Sequence, residues 1–118
     1  MLNEAKKYEK EMVGFLGDII ALPSESGKEG AVIARIENEM KKVGFDSIKI
    51  DKMGNILGWI GKGKQFIAMD AHIDTVGSGN HGQWKWDPYR GKSENDNIYG
   101  RGAVDQKAGM ASFLITRK

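Results

Sequence analysis

Three features of the sequence predict an α/β fold in which helices cover a mixed β-sheet. Two early stretches repeat their apolar residues at helical spacing, the middle of the chain shifts to strand-like alternation punctuated by glycine turns, and a final stretch returns to the helical period.

Residues 2–22 place Leu2, Ala5, Met12, Phe15, Leu16, Ile19 and Ile20 near a 3.6-residue period, with Lys and Glu at the other positions. A helical Gly costs roughly 1 kcal/mol relative to Ala, so Gly14 and Gly17 weaken the second half of this helix. Pro23 closes it ahead of a Pro-Ser-Glu-Ser-Gly loop. A second helix is predicted over residues 28–43, where Ile33, Ile36, Met40 and Val43 line one face and Gly44 provides the stop. Residues 45–51 then alternate as a strand, Lys-Met-Gly-Asn turns, and residues 55–61 form a second strand. Lys62-Gly63-Lys64 leads into a third strand over residues 65–70. A Gly-rich, aromatic stretch over residues 77–90 precedes a hairpin around residues 93–97, which leads to Ile98 and Tyr99. Residues 106–118 read as a last helix with Met110, Phe113 and Leu114 on one face. Ile33, Ile36, Met40, Ile67, Phe113 and Leu114 are the expected core. This helix opens close to the end of the chain, so the fold either closes on it or belongs to a longer protein.

Composition narrows the class of function. Hydrophobic residues at 40% and charged residues at 29% match one globular domain over residues 1–118, without repeats or linkers. A net charge of +2 makes neither nucleic acid nor a lipid surface the default partner. No apolar run approaches the roughly 20 residues of a membrane span, and the first residues lack the apolar core of a secretory signal, so a cytoplasmic location is expected. The absence of Cys removes disulfides, thiolate ligands and Cys nucleophiles together.

Ala71-His72-Ile73-Asp74 follows the third predicted strand directly. In extended backbone, residues i and i+2 point the same way, so His72 and Asp74 share a face. A carboxylate beside an imidazole accepts the proton of one ring nitrogen and leaves the other neutral and aimed at a metal. Taken alone, the triplet more often describes a solvated His in a loop with an Asp nearby by chance. In Gly100-Arg101-Gly102-Ala103-Val104-Asp105-Gln106-Lys107, the glycines permit a tight turn or the close approach of another segment. Asp105 at the following strand–helix junction either caps the helix or presents both carboxylate oxygens to a metal pair. Trp84-Lys85-Trp86-Asp87-Pro88-Tyr89-Arg90 interleaves aromatic and basic residues, as stacking platforms for single-stranded nucleic acid do. One short cluster in a nearly neutral chain favours a loop pinned by buried aromatics. His81, in Gly-Ser-Gly-Asn-His-Gly, reads as solvated.

Taken in order, these motifs resemble the N-terminal part of the dinuclear zinc metallopeptidases that include aminoacylase, acetylornithine deacetylase, succinyl-diaminopimelate desuccinylase and the glutamate-releasing carboxypeptidase. That family carries a strand ending in H-x-D, a W-x-x-D-P-[FY] loop and G-R-G-x-x-D-x-K at a helix start. The counterparts here are His72-Ile73-Asp74, the Trp84 to Tyr89 segment, and Gly100 through Lys107. Ala71, Gly77, Gln106 and Ala108 depart from the common Gly, Pro, Met and Gly, and none of these departures removes a ligand.

The resemblance implies a zinc-exopeptidase-like α/β/α sandwich, here truncated, with residues 1–118 as the first part of the catalytic domain. It implies two Zn2+ ions, with cobalt or manganese as substitutes. His72 would bind one ion, Asp105 would bridge both, and Asp74 would serve catalysis by orienting the His72 ring. The general-base Glu, the other ligands and a lid domain would lie beyond residue 118, leaving this chain inactive alone. The implied partner is a small peptide or N-acyl amino acid, with no nucleic acid and no membrane, and a homo-oligomer is compatible. The alternative is a non-enzymatic binding or interaction module that keeps the scaffold.

Overall fold

In the structure, a computed structural model that describes residues 2–115, the first helical stretch forms two helices rather than one. α1 (Leu2–Lys7) and α2 (Glu9–Ile20) meet at Tyr8, whose backbone opens to φ −103°, ψ 0°. α2 buries Phe15, Leu16, Ile19 and Ile20, whereas residues 3–7 are exposed. A short helix without an apolar face to pack has little to hold it in line with its neighbour. α2 ends at Ile20, two residues short of the expected bound, with the Ala21 N–H donating to the Gly17 carbonyl at 3.0 Å.

α3 (Gly30–Val43) packs on α2 through Val32, Ile33, Ile36 and Met40, and stops as expected at Gly44. A charged clasp crosses the same interface. Arg35 donates to Asp18 of α2 and to Glu39 of α3, both at 2.9 Å, and its guanidinium lies 4.6 Å from the centre of the Phe15 ring. Glu39 is buried, and Arg35 with Lys42 supplies the countercharge it needs there.

β1 (Ser47–Ile50) and β2 (Ile56–Trp59) form an antiparallel hairpin in the register Ser47 to Trp59 through Ile50 to Ile56. The Asp51 carboxylate closes its turn by accepting from the Met53 and Asn55 N–H groups at 2.8 and 3.0 Å. β3 (Lys92–Glu94) and β4 (Asn97–Tyr99) form the second expected hairpin, turned by Asn95 and Asp96 at φ 51° and 59°.

The third expected strand differs. Residues 65–70 join neither hairpin, and Ile67, expected in the core, is 93% exposed beside Phe66 at 86%. A strand needs a neighbour to take its N–H and C=O groups, and among the described residues none flanks this segment. The α/β class therefore appears as two two-stranded antiparallel sheets in place of a single mixed sheet. The isolated bridge of Glu25 to Thr75 is the parallel pairing among the described residues.

The chain re-enters the core at a corner. Residues 103–107 make one wide, π-type turn, with Asp105 at φ −118°, ψ 91°, before α4 (Ala108–Ile115) begins, two residues later than expected. α4 buries Met110, Ala111, Leu114 and Ile115, while Phe113 is half-buried rather than in the core. Residues 116–118 of the expected helix lie outside the described residues. No described helix is long and apolar enough to cross a membrane.

Lys107 closes the corner. Its side chain is fully buried, and Nζ donates to the carbonyls of Ile19 at 2.7 Å and Leu22 at 2.9 Å. Burial pushes its pKa down to about 8. The two carbonyls, at the negative end of α2, favour the charged form in return.

Two stability predictions follow from this corner. Lys107→Met preserves bulk but strands both carbonyls, and is expected to cost roughly 2–4 kcal/mol, read as a lower denaturant midpoint at unchanged slope. Gly102 and Gly79 both have positive φ, at 76° and 66°, but a Cβ on Gly102 would meet Thr75 Cγ2 at 2.5 Å while one on Gly79 meets nothing within 4 Å. Gly79→Ala should cost about 1 kcal/mol, and Gly102→Ala roughly 1–3 kcal/mol more. Equal melting temperatures for the two variants would contradict this.

Candidate metal centre

The loop after α2 holds the segment that carries His72 and Asp74. Ser24, fully buried, donates from Oγ to the Ile73 carbonyl at 2.7 Å, and its own carbonyl accepts the Thr75 N–H at 2.8 Å. Residues on both sides of Asp74 are therefore bonded to one loop residue. Ile73 turns into the core, so the alternation puts His72 and Asp74 on the opposite, open face.

Asp105 arrives at this face across 33 residues, and its Oδ1 lies 2.7 Å from His72 Nε2. On the other side of the ring, His72 Nδ1 lies 3.2 Å from Asp74 Oδ1 and 3.2 Å from the Asp74 carbonyl oxygen. Ser26 Oγ donates to Asp74 Oδ2 at 2.6 Å. The four side chains thus form a line: Ser26, Asp74, His72, Asp105. The Asp105 backbone has the extended geometry of a residue ahead of a helix, and its carboxylate is turned to the imidazole.

The corner has no slack where it approaches this line. A Cβ on Gly100 would fall 2.5 Å from Ile20 Cγ2 and 3.1 Å from the Pro88 carbonyl oxygen, and the Arg101 N–H donates to that same carbonyl at 2.7 Å. The Gly-Arg-Gly pattern is in this way a close-approach device against α2 and the aromatic loop.

The electrostatics follow the contacts. Hydrogen bonding to Asp105 raises the His72 pKa above its ordinary value, more than desolvation lowers it, and Asp74 adds to the rise. The Ser26 hydroxyl is the largest influence on Asp74 and holds its carboxyl below the usual range, with His72 contributing. Each ring nitrogen faces a carboxylate. Asp105 Oδ1 meets Nε2 in the direction along which a cation would be ligated.

His72, Asp74 and Asp105 line a cavity of about 330 Å³ together with Ser26 and residues 100–104. Among the described residues no group of three or more His, Asp or Glu gathers to hold a metal ion. Asp74 stands behind the ring, which leaves His72 Nε2 and Asp105 as the donors on the cavity side.

A larger cavity of about 610 Å³ adjoins it, lined by the aromatic loop and sharing residues 100, 101, 103 and 104. The aromatics there are engaged with their own chain. Trp84 donates from Nε1 to the Ser78 carbonyl at 2.8 Å, Trp86 lies 4.3 Å from the Tyr99 ring, and the Arg101 guanidinium sits 4.9 Å over Trp84. His81, read as solvated, is exposed, and its Nε2 lies 2.7 Å from Ser78 Oγ.

Sequence reasoning missed Ser26 and Lys107 as parts of this arrangement. Both stood in motifs already singled out, the Ser-Glu-Ser loop and the end of the Gly-Arg-Gly segment, but nothing in their spacing marked a partner 48 or 88 residues away.

Comparison with known proteins places similar sequences over this part of the chain. The profile of peptidase family M20/M25/M40 matches residues 68–116, the span that contains His72, Asp74 and Asp105. The whole chain is 52% identical to the uncharacterised protein YgeY of Escherichia coli (strain K12) and spans 29% of that protein's length. It is 31% identical over 110 residues to a probable succinyl-diaminopimelate desuccinylase of Staphylococcus aureus (strain MRSA252), covering 91% of this chain and 27% of the relative. It is 33% identical over 105 residues to the succinyl-diaminopimelate desuccinylase of Dinoroseobacter shibae, covering 86% of this chain and 28% of that enzyme. The chain spans less than a third of the length of these relatives and is similar to peptidase family M20/M25/M40 over residues 68–116.

Proposed function

We propose that the protein containing this chain hydrolyses an amide bond in a small peptide or N-acyl amino acid with the help of divalent metal ions, and that His72 and Asp105 hold part of the metal centre. The observation that carries this reading is the line Asp74–His72–Asp105, with one carboxylate at each ring nitrogen and Nε2 facing the cavity. Relatives named as succinyl-diaminopimelate desuccinylases support an N-acyl amino acid as the substrate class.

The donor set fits zinc, which takes imidazole nitrogen and carboxylate oxygen, and cobalt or manganese accepts the same atoms. When bound, zinc lowers the pKa of its water toward about 7 and polarises the scissile carbonyl. Asp74 accepts the Nδ1 proton, which fixes the tautomer and ring plane and leaves the Nε2 lone pair for the metal. Asp105, with an exposed carboxylate on a corner whose glycines approach Ile20 and Thr75 closely, offers two oxygens and would hold metal beside His72. A zinc position takes three or four protein ligands. The reading therefore assigns the remaining ligands and the general-base Glu to residues outside these 118. It also makes residues 65–70 a strand of an α/β/α sandwich, with Phe66 and Ile67 covered by other parts of that protein, in the cytoplasm.

In the whole protein, His72→Ala and Asp105→Ala are expected to lower zinc per chain after dialysis and to reduce turnover of N-acyl amino acids to background. Asp74→Asn retains the shape of the site and should cost about 10–100-fold in zinc affinity or turnover. Full zinc loading and activity in His72→Ala would refute the assignment. The 118-residue chain alone lacks the proton-shuttling Glu, a role worth typically 10²–10⁴-fold, and should hydrolyse none of a panel of dipeptides and N-acyl amino acids.

A further inference from the structure

The Ser-Glu-Ser loop between α2 and α3 has no part in the metal reading, yet it touches the back of the site. We infer that Ser26 is a positioning residue that decides which acceptor takes the His72 Nδ1 proton. The inference rests on the reading of His72 as a metal ligand only for its effect on zinc.

His72 Nδ1 has two acceptors at the same distance, the Asp74 carboxylate oxygen Oδ1 and the Asp74 backbone carbonyl, both at 3.2 Å. The two are not equivalent. A carboxylate is the stronger acceptor and makes the ring more electron-rich at its far nitrogen, whereas a carbonyl carries no charge. The choice depends on the rotation of the Asp74 carboxylate, whose terminal torsion is intrinsically broad. Ser26 Oγ donates to Oδ2 at 2.6 Å and so turns Oδ1 toward the ring.

Ser26 is itself held in place. Two residues before it, Ser24 is bonded to both neighbours of Asp74. After it, the Lys28 N–H donates to the Glu25 carbonyl at 2.8 Å, and the Gly27 N–H to the Glu29 carboxylate at 2.8 Å. The bridge of Glu25 to Thr75 runs beside the contact. The hydroxyl is therefore delivered to Asp74 by a loop bonded along the same segment, rather than by a free surface side chain. Without it, the carboxylate rotates, the Nδ1 proton turns to the carbonyl, and Nε2 becomes a poorer metal ligand.

The test uses the whole protein labelled with 15N-histidine, as wild type, Ser26→Ala and Ser26→Thr. Three quantities are measured: the His72 Nδ1–H resonance with and without zinc, the zinc affinity by chelator competition, and kcat and KM separately. Ser26→Ala should move the Nδ1–H resonance upfield, weaken zinc by about 3–30-fold, below or within the range for loss of a ligand's partner, and lower kcat with KM unchanged. Ser26→Thr keeps a hydroxyl on the same carbon and should restore all three. An unshifted Nδ1–H in Ser26→Ala overturns the inference. So does a shift that Ser26→Thr fails to reverse, since that marks loosening of the loop instead of loss of the hydroxyl. The resonance recorded without zinc reports the acceptor directly, so it remains decisive even if His72→Ala shows that the metal reading itself is wrong.

Discussion

One buried ammonium fixes the geometry of the site. Lys107 is enclosed by the core, and its charge is tolerated because two carbonyls at the end of α2 turn toward it. Those carbonyls belong to Ile19, in the last turn of the helix, and to Leu22 in the loop beyond it. Had the side chain been apolar, the wide turn of residues 103–107 would have no bonded attachment to the N-terminal helices through this position. The Asp105 carboxylate projects from that turn, so its distance from His72 is set from the inside of the molecule rather than by the exposed pair itself.

The rest of the support is built around the same helix. α2 presents Phe15, Leu16, Ile19 and Ile20 to α3 and α4, and the Arg35 clasp fastens α2 to α3 at its polar edge. The loop leaving α2 then carries Ser24 to Ile73 and Thr75, and Ser26 to Asp74. His72 and Asp105 lie on irregular backbone, yet both are tied to one packed helix within a few residues. Functional groups on loops depend on such a scaffold for their precision.

The helices, hairpins and the His72–Asp74 face were legible in the sequence because each rests on local spacing. The Ile33, Ile36 and Met40 stripe needs no knowledge of its partner to be recognised, and alternation alone puts His72 beside Asp74. Asp105 was legible through the order of motifs and ambiguous on its own, since a carboxylate before a helix is as often a cap. The interruption at Tyr8 was not visible, because the pattern of α1 continues that of α2 while its packing does not. Residues 65–70 read as a strand and Ile67 as core, but burial of a strand is a property of its neighbours, and among the described residues none is present. Ser26 and Lys107 escaped for the same reason in a sharper form. A loop serine and a surface-type lysine acquire meaning only from atoms 48 and 88 residues away.

The double attachment of the loop after α2 also dictates an order of assembly. α2, α3 and the first hairpin close on contacts near in sequence, whereas the Ile19–Lys107 bond closes a loop of 88 residues and the His72–Asp105 contact one of 33. The entropic difference between closing those loops is small, roughly 1 kcal/mol, but both wait for chain that follows the helices. During synthesis α2 and α3 can therefore collapse on each other with the carbonyls of Ile19 and Leu22 still facing water. The late arrival of residue 107 converts those carbonyls from solvated groups into an anchor, and the chemistry-bearing corner is among the last parts of this segment to take shape.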